Sequence, residues 1–291
     1  MNIEVYRIGV AAVEALGIAA EGRVQGVTSR GAFLRIIDRI IYLTPLDYRS
    51  PFNLTLAGGD QRFERLEPGD VFTIDNGRLY FPGKNIRVIT EQADAWLPPL
   101  PAAIRSTLIE QHARAEAIAQ RLRELNPNKG FLFLSQAEND TLTPDQFSVL
   151  RAAQEIKASF TRGNRAGFMQ AADSLIGSGG GLTPSGDDFL AGFLLYHFRR
   201  HLATGAQHDS LSEWCAEVTA TAFLKTTTIS ANRLLFTARG WSEDIFLDLI
   251  DHLFDPSIPF PDDKVRLLMD IGHSSGVDTF MGVLYAIQSL Q

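Results

Sequence analysis

Leu97-Pro98-Pro99-Leu100-Pro101 divides the chain. Proline removes a backbone donor and restricts the residue before it, so this run interrupts any helical or strand period that reaches it. The sequence changes character on either side. From Gly22 to about Thr90, segments rich in β-branched and aromatic residues alternate with turn chemistry: Arg23 to Thr28, Ala32 to Ile37, Ile40 to Thr44, Asn53 to Ala57, Val71 to Asp75 and Arg78 to Phe81. Asn76-Gly77 is a two-residue hairpin signal, and Glu67-Pro68-Gly69-Asp70 is a second turn. Beyond the prolines, Ala102 to Leu125 has the spacing of a long amphipathic helix. Further helical candidates are Pro144 to Arg162, Arg165 to Ile176, Ser185 to Leu202, Ser210 to Leu224, Ile229 to Arg239, Ser242 to Leu253, Asp262 to Ile271 and Gly276 to Leu290. The fold class predicted is α+β: an antiparallel β-barrel or sandwich over residues 1–100, then a mainly α-helical domain over 101–291.

A chain of 291 residues, 45% hydrophobic and 21% charged, has material for two buried cores and is neither disordered nor fibrous. Lys and Arg total 27 against 34 Asp and Glu, a formal charge of −7. That balance sets up no broad positive field for phosphate backbones or anionic lipid, so nucleic acid is not an expected partner. The single cysteine, Cys215, excludes an intrachain disulfide and a multi-cysteine zinc site. Met1-Asn2-Ile3-Glu4 lacks the basic start of an export signal, and no apolar run approaches the ~18 residues of a membrane span. A cytoplasmic protein is the expectation.

Chemistry concentrates in Gly177-Ser178-Gly179-Gly180-Gly181-Leu182-Thr183-Pro184-Ser185-Gly186-Asp187-Asp188-Phe189-Leu190-Ala191-Gly192. A glycine-rich loop entering a helix leaves N–H groups free to point outward, and the positive end of the helix dipole adds to them. The result is a pocket for phosphate or carboxylate. It is not a Walker loop, because Leu182 stands where lysine is needed, and it lacks the strand and third glycine of a dinucleotide fingerprint.

Shifting the chain by 90 positions lays Ser185-Gly186-Asp187-Asp188 and Gly192 over Ser275-Gly276-Val277-Asp278 and Gly282. This match is either an approximate internal duplication or a coincidence of one short segment; as a duplication, it sets two helix starts facing one pocket. Ser-x-x-Asp at both places also resembles a capping box, which would account for Ser185, Asp188, Ser275 and Asp278 without any ligand. Capping leaves Asp187, the glycine run, Gly192 and Gly282 unexplained. Glycine inside a helix costs about 1 kcal/mol relative to alanine, and close packing of two helices is the reason to keep it.

An anion beside Asp187, Asp188 and Asp278 requires those carboxylates to point away, take a proton or bind a cation, and Mg²⁺ is the cation that hard oxygen ligands favour. His273, just before the second helix start, could bind substrate, transfer a proton or cap. Lys225 and Arg233, among the hydroxyls of Thr226, Thr227, Thr228 and Ser230, could neutralise an anion. His197 and His201 have metal-ligand spacing but no accompanying glutamate, and a solvated helix face is the better reading.

These residues resemble a known family. Gly179 to Gly192 and Gly272-His273-Ser274-Ser275-Gly276-Val277-Asp278-Thr279-Phe280-Met281-Gly282 are similar to the two signature segments of the AllH-like bacterial family, long catalogued as a domain of unknown function and labelled a carboxylase. Thr226-Thr227-Thr228-Ile229-Ser230 is similar to its middle segment. Members include a subunit of oxamate carbamoyltransferase in allantoin breakdown. The resemblance therefore implies carbamoyl transfer between oxalurate and phosphate, yielding oxamate and carbamoyl phosphate, with small anions as substrates and other subunits, or a second copy, as partners. It places Gly179, Gly181, Thr183, Ser185, Thr226, Thr227, Ser230, Ser275 and Gly276 around the substrate or phosphate, with Gly180 and Gly186 from the same loop. His273, Asp187, Asp188 and Asp278 take the catalytic positions. The alternatives are a scaffold subunit without activity of its own and a Mg²⁺-dependent hydrolase using the three aspartates.

Overall fold

A computed structural model of the chain describes residues 1–136, 142–205 and 209–291. It contains two compact units, Met1–Pro99 and Leu100–Gln291.

The first unit is a barrel. Its elements are β1 (Asn2–Gly9), α1 (Val10–Leu16), β2 (Glu21–Thr28), β3 (Gly31–Ile36), β4 (Arg39–Thr44), β5 (Asn53–Leu56), β6 (Val71–Asp75), β7 (Arg78–Phe81), β8 (Ile86–Ile89) and β9 (Asp94–Trp96). The strand order is β5-β4-β3-β2-β6-β7-β8-β1-β9, and an additional β5–β1 pairing closes β1 to β8 into a ring. Alternate residues fill it, as the two-residue period of a strand requires: Ile3 and Val5, Leu34 and Ile36, Leu54 and Leu56 belong to one buried core. The Asn76-Gly77 turn joins β6 to β7 as expected, with Asp75 opposite Arg78.

The barrel is not wholly antiparallel. β1 runs parallel to β8 and to β9, and β4 runs parallel to β5. Parallel neighbours need long connections, and β1 finds its partners near the far end of the unit, where no local turn announces them. For that reason β1 and β9 escape a reading based on turns, whereas β8, antiparallel to β7 across the Pro82–Lys84 turn, escapes it despite having one. β8 is also only four residues long.

The second unit comprises α2 (Leu108–Leu125), α3 (Pro144–Thr161), α4 (Arg165–Leu175), α5 (Ser185–Thr204), α6 (Asp209–Lys225), α7 (Thr228–Thr237), α8 (Asp244–Phe254), α9 (Asp262–Leu268) and α10 (Ser275–Gln288), with a 3-10 turn at Gly130–Ser135. Helix α2 begins later than the apolar spacing suggests. Ala102 N–H donates to Asp251 Oδ1 (3.0 Å) and the Arg105 and Ser106 N–H groups to the Phe254 carbonyl, so the chain stays extended until Thr107 and Glu110 form a capping box.

Helices α5 and α10 form the centre. Every residue from Gly186 to Arg199 and from Ser275 to Ile287 is buried, so neither helix has a solvated face over those turns. This corrects the solvated reading of His197. Its ring is buried, stacks on Phe160 (centroids 4.0 Å apart) and meets Ser289 Oγ at 3.2 Å. Cys215 is likewise buried, which pushes its thiol up to about 11.

Candidate active site

Two glycines, Gly192 and Gly282, let α5 and α10 meet backbone to backbone. A Cβ at Gly192 would fall 1.8 Å from the Thr279 carbonyl oxygen, and one at Gly282 would fall 2.0 Å from that of Phe189. Since Gly282 and Thr279 lie 90 positions after Gly192 and Phe189, the close approach is reciprocal. Gly186 and Gly276, also 90 apart, repeat the pattern: a Cβ would fall 2.0 Å from the Leu175 carbonyl oxygen of α4 and 2.2 Å from the Leu268 carbonyl oxygen of α9. The sequence match therefore has a geometric counterpart. Two helical hairpins, α4–α5 and α9–α10, cross through equivalent glycines.

The crossing brings the two helix starts together. Thr183 Oγ1 and Ser275 Oγ are 2.7 Å apart, and Ser185 Oγ and Ser274 Oγ are 3.4 Å apart. The expected capping boxes do not form. Pro184 and Ser274 occupy the N-cap positions, neither helix has a side-chain cap, and Ser185 and Ser275 are already helical. Among the described residues, the Ser185 and Ser275 N–H groups and those from Gly179 to Thr183 donate no hydrogen bond. Gly179, Gly180, Gly181 and Leu182 are exposed, and a Cβ at Gly180 or Gly181 would meet nothing within 4 Å. Gly177, Gly179 and Gly181 hold φ of +78°, +105° and +91°, an alternation that suits glycine.

The third strand of the site comes from α7. Thr227 caps it, accepting from Ser230 N–H (3.1 Å) while donating to the Leu182 carbonyl (2.6 Å), which ties the glycine loop down. Thr226 Oγ1 donates to Asp187 Oδ2, and Gly177 N–H donates to Asp187 Oδ1 (2.8 Å). Asp278 is engaged in the same way: Phe131 N–H donates to Oδ1 (2.6 Å) and Ser274 Oγ to Oδ2 (2.7 Å). Both carboxylates therefore brace loops rather than face the open side.

Asp188 differs. Its Oδ1 accepts from the Arg233 guanidinium of α7, whereas its Oδ2 is buried with no hydrogen-bond partner among the described residues. Ser178 Oγ and Ser230 Oγ are buried without one as well. Burial pushes all three carboxyls up from the usual aspartate range. Asp188 is carried to about 8, with Asp278 adding to the burial effect and Arg233, Ser275 and Thr183 opposing it. The counterpart relation holds here too, because Ser275 lies beside Asp188 and Ser185 beside Asp278.

The remaining candidates separate. Arg233 is inside the site, within 3.6 Å of Glu243 Oε1 and 3.4 Å of Thr279 Oγ1. Lys225 turns away, its Nζ on Asp173 Oδ1 at 2.7 Å. His273 is exposed at the lip before α10, and its charge bears on Asp278. Glu243 and the Gly130–Phe131 turn are the parts that the sequence did not flag; nothing near them carries a motif. Among the described residues, no three His, Cys, Asp or Glu side chains are grouped to hold a metal ion. Both oxygens of Asp187 and of Asp278 are already bonded within the protein, so the arrangement gives the Mg²⁺ hydrolase reading no support.

Residues 175–287 match the family described as Oxamate carbamoyltransferase subunit AllH. Over this segment the chain is AllH-like. The AllH segment opens on the last residue of α4 and reaches almost to the end of α10, so it contains the glycine loop and all three helix starts. No curated protein and no solved structure matches the chain. Among the described residues, no helix is long and apolar enough to cross a membrane.

Proposed function

We propose that this AllH-like chain is an enzyme subunit that binds small anions where α5 and α10 cross, in a carbamoyl transfer of the oxamate carbamoyltransferase type. The observation that carries this reading is the pair of uncapped helix starts, joined at Thr183 and Ser275, beneath an exposed glycine loop with unused N–H groups. In the reaction a phosphate oxygen attacks the ureido carbon of oxalurate, the carbon–nitrogen bond breaks, and oxamate leaves with a proton gained at nitrogen. The loop N–H groups and the α5 dipole hold the phosphate, and the Ser185 hydroxyl and one member of the bonded Thr183–Ser275 pair donate to its oxygens. Asp187, Thr226, Thr227 and Ser230 keep the loop in place, Gly186 and Gly276 seat the two helix starts against α4 and α9, and His273 stands exposed at the lip.

The family name implies further subunits, and the reading places the protein in the cytoplasm, in allantoin or purine breakdown with those partners. The experiment is carbamoyl-phosphate formation from oxalurate and inorganic phosphate by the full chain together with its partner subunits. The Ser185→Ala/Ser275→Ala double variant is expected to lose most of this activity while assembling normally. An assembled complex that makes no carbamoyl phosphate, or a double variant as active as the wild type, would overturn the reading in favour of a scaffold role.

A further inference from the structure

The two hairpins are equivalent in their packing but not in their acids. Asp188 and Asp278 occupy corresponding positions, 90 apart, each with the other helix's first serine beside it. Asp278 has a donor on each oxygen, from Phe131 and Ser274. Asp187, next to Asp188 in α5, is also bonded through both oxygens. Among the described residues, Asp188 alone of the three keeps a buried oxygen without a partner, in a residue only 1% exposed. Leaving such an atom unsatisfied costs free energy comparable to a lost hydrogen bond, and a protonated carboxyl or a ligand-side donor removes that cost.

The Thr183 and Ser275 hydroxyls stand beside this carboxyl, yet they bond to each other. Hydroxyls both donate and accept, so a bonded pair can pass a proton on by exchanging roles. Thr183 belongs to the loop that opens to solvent and Ser275 to the buried start of α10, so the pair spans from the interior to the mouth of the site.

We propose that Asp188 is the proton store of this site, its Oδ2 exchanging a proton with the bound ligand through the Thr183–Ser275 hydroxyl pair, whereas Asp187 and Asp278 act only in positioning. This rests on the anion-binding reading above. In the transfer direction the Asp188 carboxyl gives its proton to one hydroxyl, and the other passes its own to the departing oxamate nitrogen. An N–H bond forms as the carboxyl O–H bond breaks, and the carboxylate left behind is held by Arg233. The charged groups facing it are Arg233 on α7 and Asp278 on α10, Glu243 lies against Arg233, and Asp187 on its own helix is turned to Gly177 and Thr226.

The test is calorimetric titration of the full chain with inorganic phosphate at pH 8, in buffers of different ionisation enthalpy. An anion bound beside Asp188 keeps its carboxyl protonated, so the wild type is expected to take up on the order of half a proton per phosphate. Asp188→Asn is expected to bind phosphate without this uptake. Phosphate binding with no uptake in the wild type, or with equal uptake in Asp188→Asn, would overturn the proposal and leave the anion site standing. Absence of phosphate binding in the wild type would overturn the anion site and this proposal with it. Should Asp188→Asn not fold, aspartate-selective ¹³C NMR of the wild type reads the carboxyls directly. A resonance titrating near pH 8 and moved upward by phosphate supports the proposal; no aspartate titrating above about pH 6 overturns it.

Discussion

Gly192 and Gly282 hold equivalent places at the crossing of α5 and α10, each pressed against a carbonyl oxygen of the opposite helix. Neither oxygen belongs to a side chain that could swing aside. Gly192→Ala or Gly282→Ala must therefore spread the helices, and each is expected to destabilise the second unit by about 1–3 kcal/mol. The double variant should lose less than the sum, since one separation relieves both clashes. Urea denaturation of the full chain, followed at Trp214 and Trp241, measures both.

Asp278→Ala removes the acceptor for the Phe131 N–H and leaves that donor without its partner. A loss of about 1–3 kcal/mol is expected. Hydrogen exchange should localise the effect: the Phe131 amide becomes fast, while the Gly177 amide, bonded to Asp187, keeps its protection.

Stability should fall as pH rises from about 5 to 9. Burial raises the folded-state pKa of Asp187, Asp188 and Asp278, so the folded protein holds protons that the unfolded chain has released, and this contribution is lost as pH passes through the folded values, about 8 for Asp188. Carboxyls held below their usual range, such as Asp47, Asp60 and Asp262, act in the opposite direction but only at more acid pH, and His252, which burial holds below the usual imidazole value, opposes the fall only up to about pH 7. Denaturation midpoints at pH 5, 7 and 9 test the slope, and a rising slope would contradict the burial of these three groups.

Lys225→Ala should leave phosphate affinity within about twofold of wild type, because the ammonium is engaged by Asp173. Surface pairs of this kind contribute little to stability, about 0–1 kcal/mol. Phosphate titration of the variant checks this; a tenfold loss would return Lys225 to the anion site.

Cys215 should be unreactive in the native protein. It is fully buried, its Sγ faces the Leu234 carbonyl, and its thiol is pushed up to about 11. A thiol-specific chromogenic reagent should label it only after denaturant is added.

Much of this organisation was legible in local chemistry. The prolines after Leu97 fall where one compact unit ends and the next begins. Val71–Asp75 and Arg78–Phe81 follow from the Asn76-Gly77 turn between them. The 90-residue match raised the prospect of two helix starts facing one pocket without naming the contacts, Ser185 with Ser274 and Thr183 with Ser275, that the structure contains. What escaped was set by long-range pairing. Strands β1 and β9, which pair in parallel with each other, have no turn to mark them, and the Phe131 turn enters the site through a backbone N–H, a group every residue but proline possesses. His197 was misread because polarity suggested solvent, whereas a stacked aromatic neighbour made it part of the core. The Ser-x-x-Asp pattern misled in another way. Serine in the first turn, rather than at the cap, leaves its hydroxyl for the partner helix.

The ring of strands has a consequence for biosynthesis. β1, the earliest of these nine strands to leave the ribosome, is completed only by β5, β8 and β9, the last of which ends at Trp96. Until those residues emerge, β1 has no lasting neighbours, and its hydrophobic alternation must be kept from mispairing on the nascent chain. Closure of the ring is then a late event, possible only once β8 has emerged to lie beside β1.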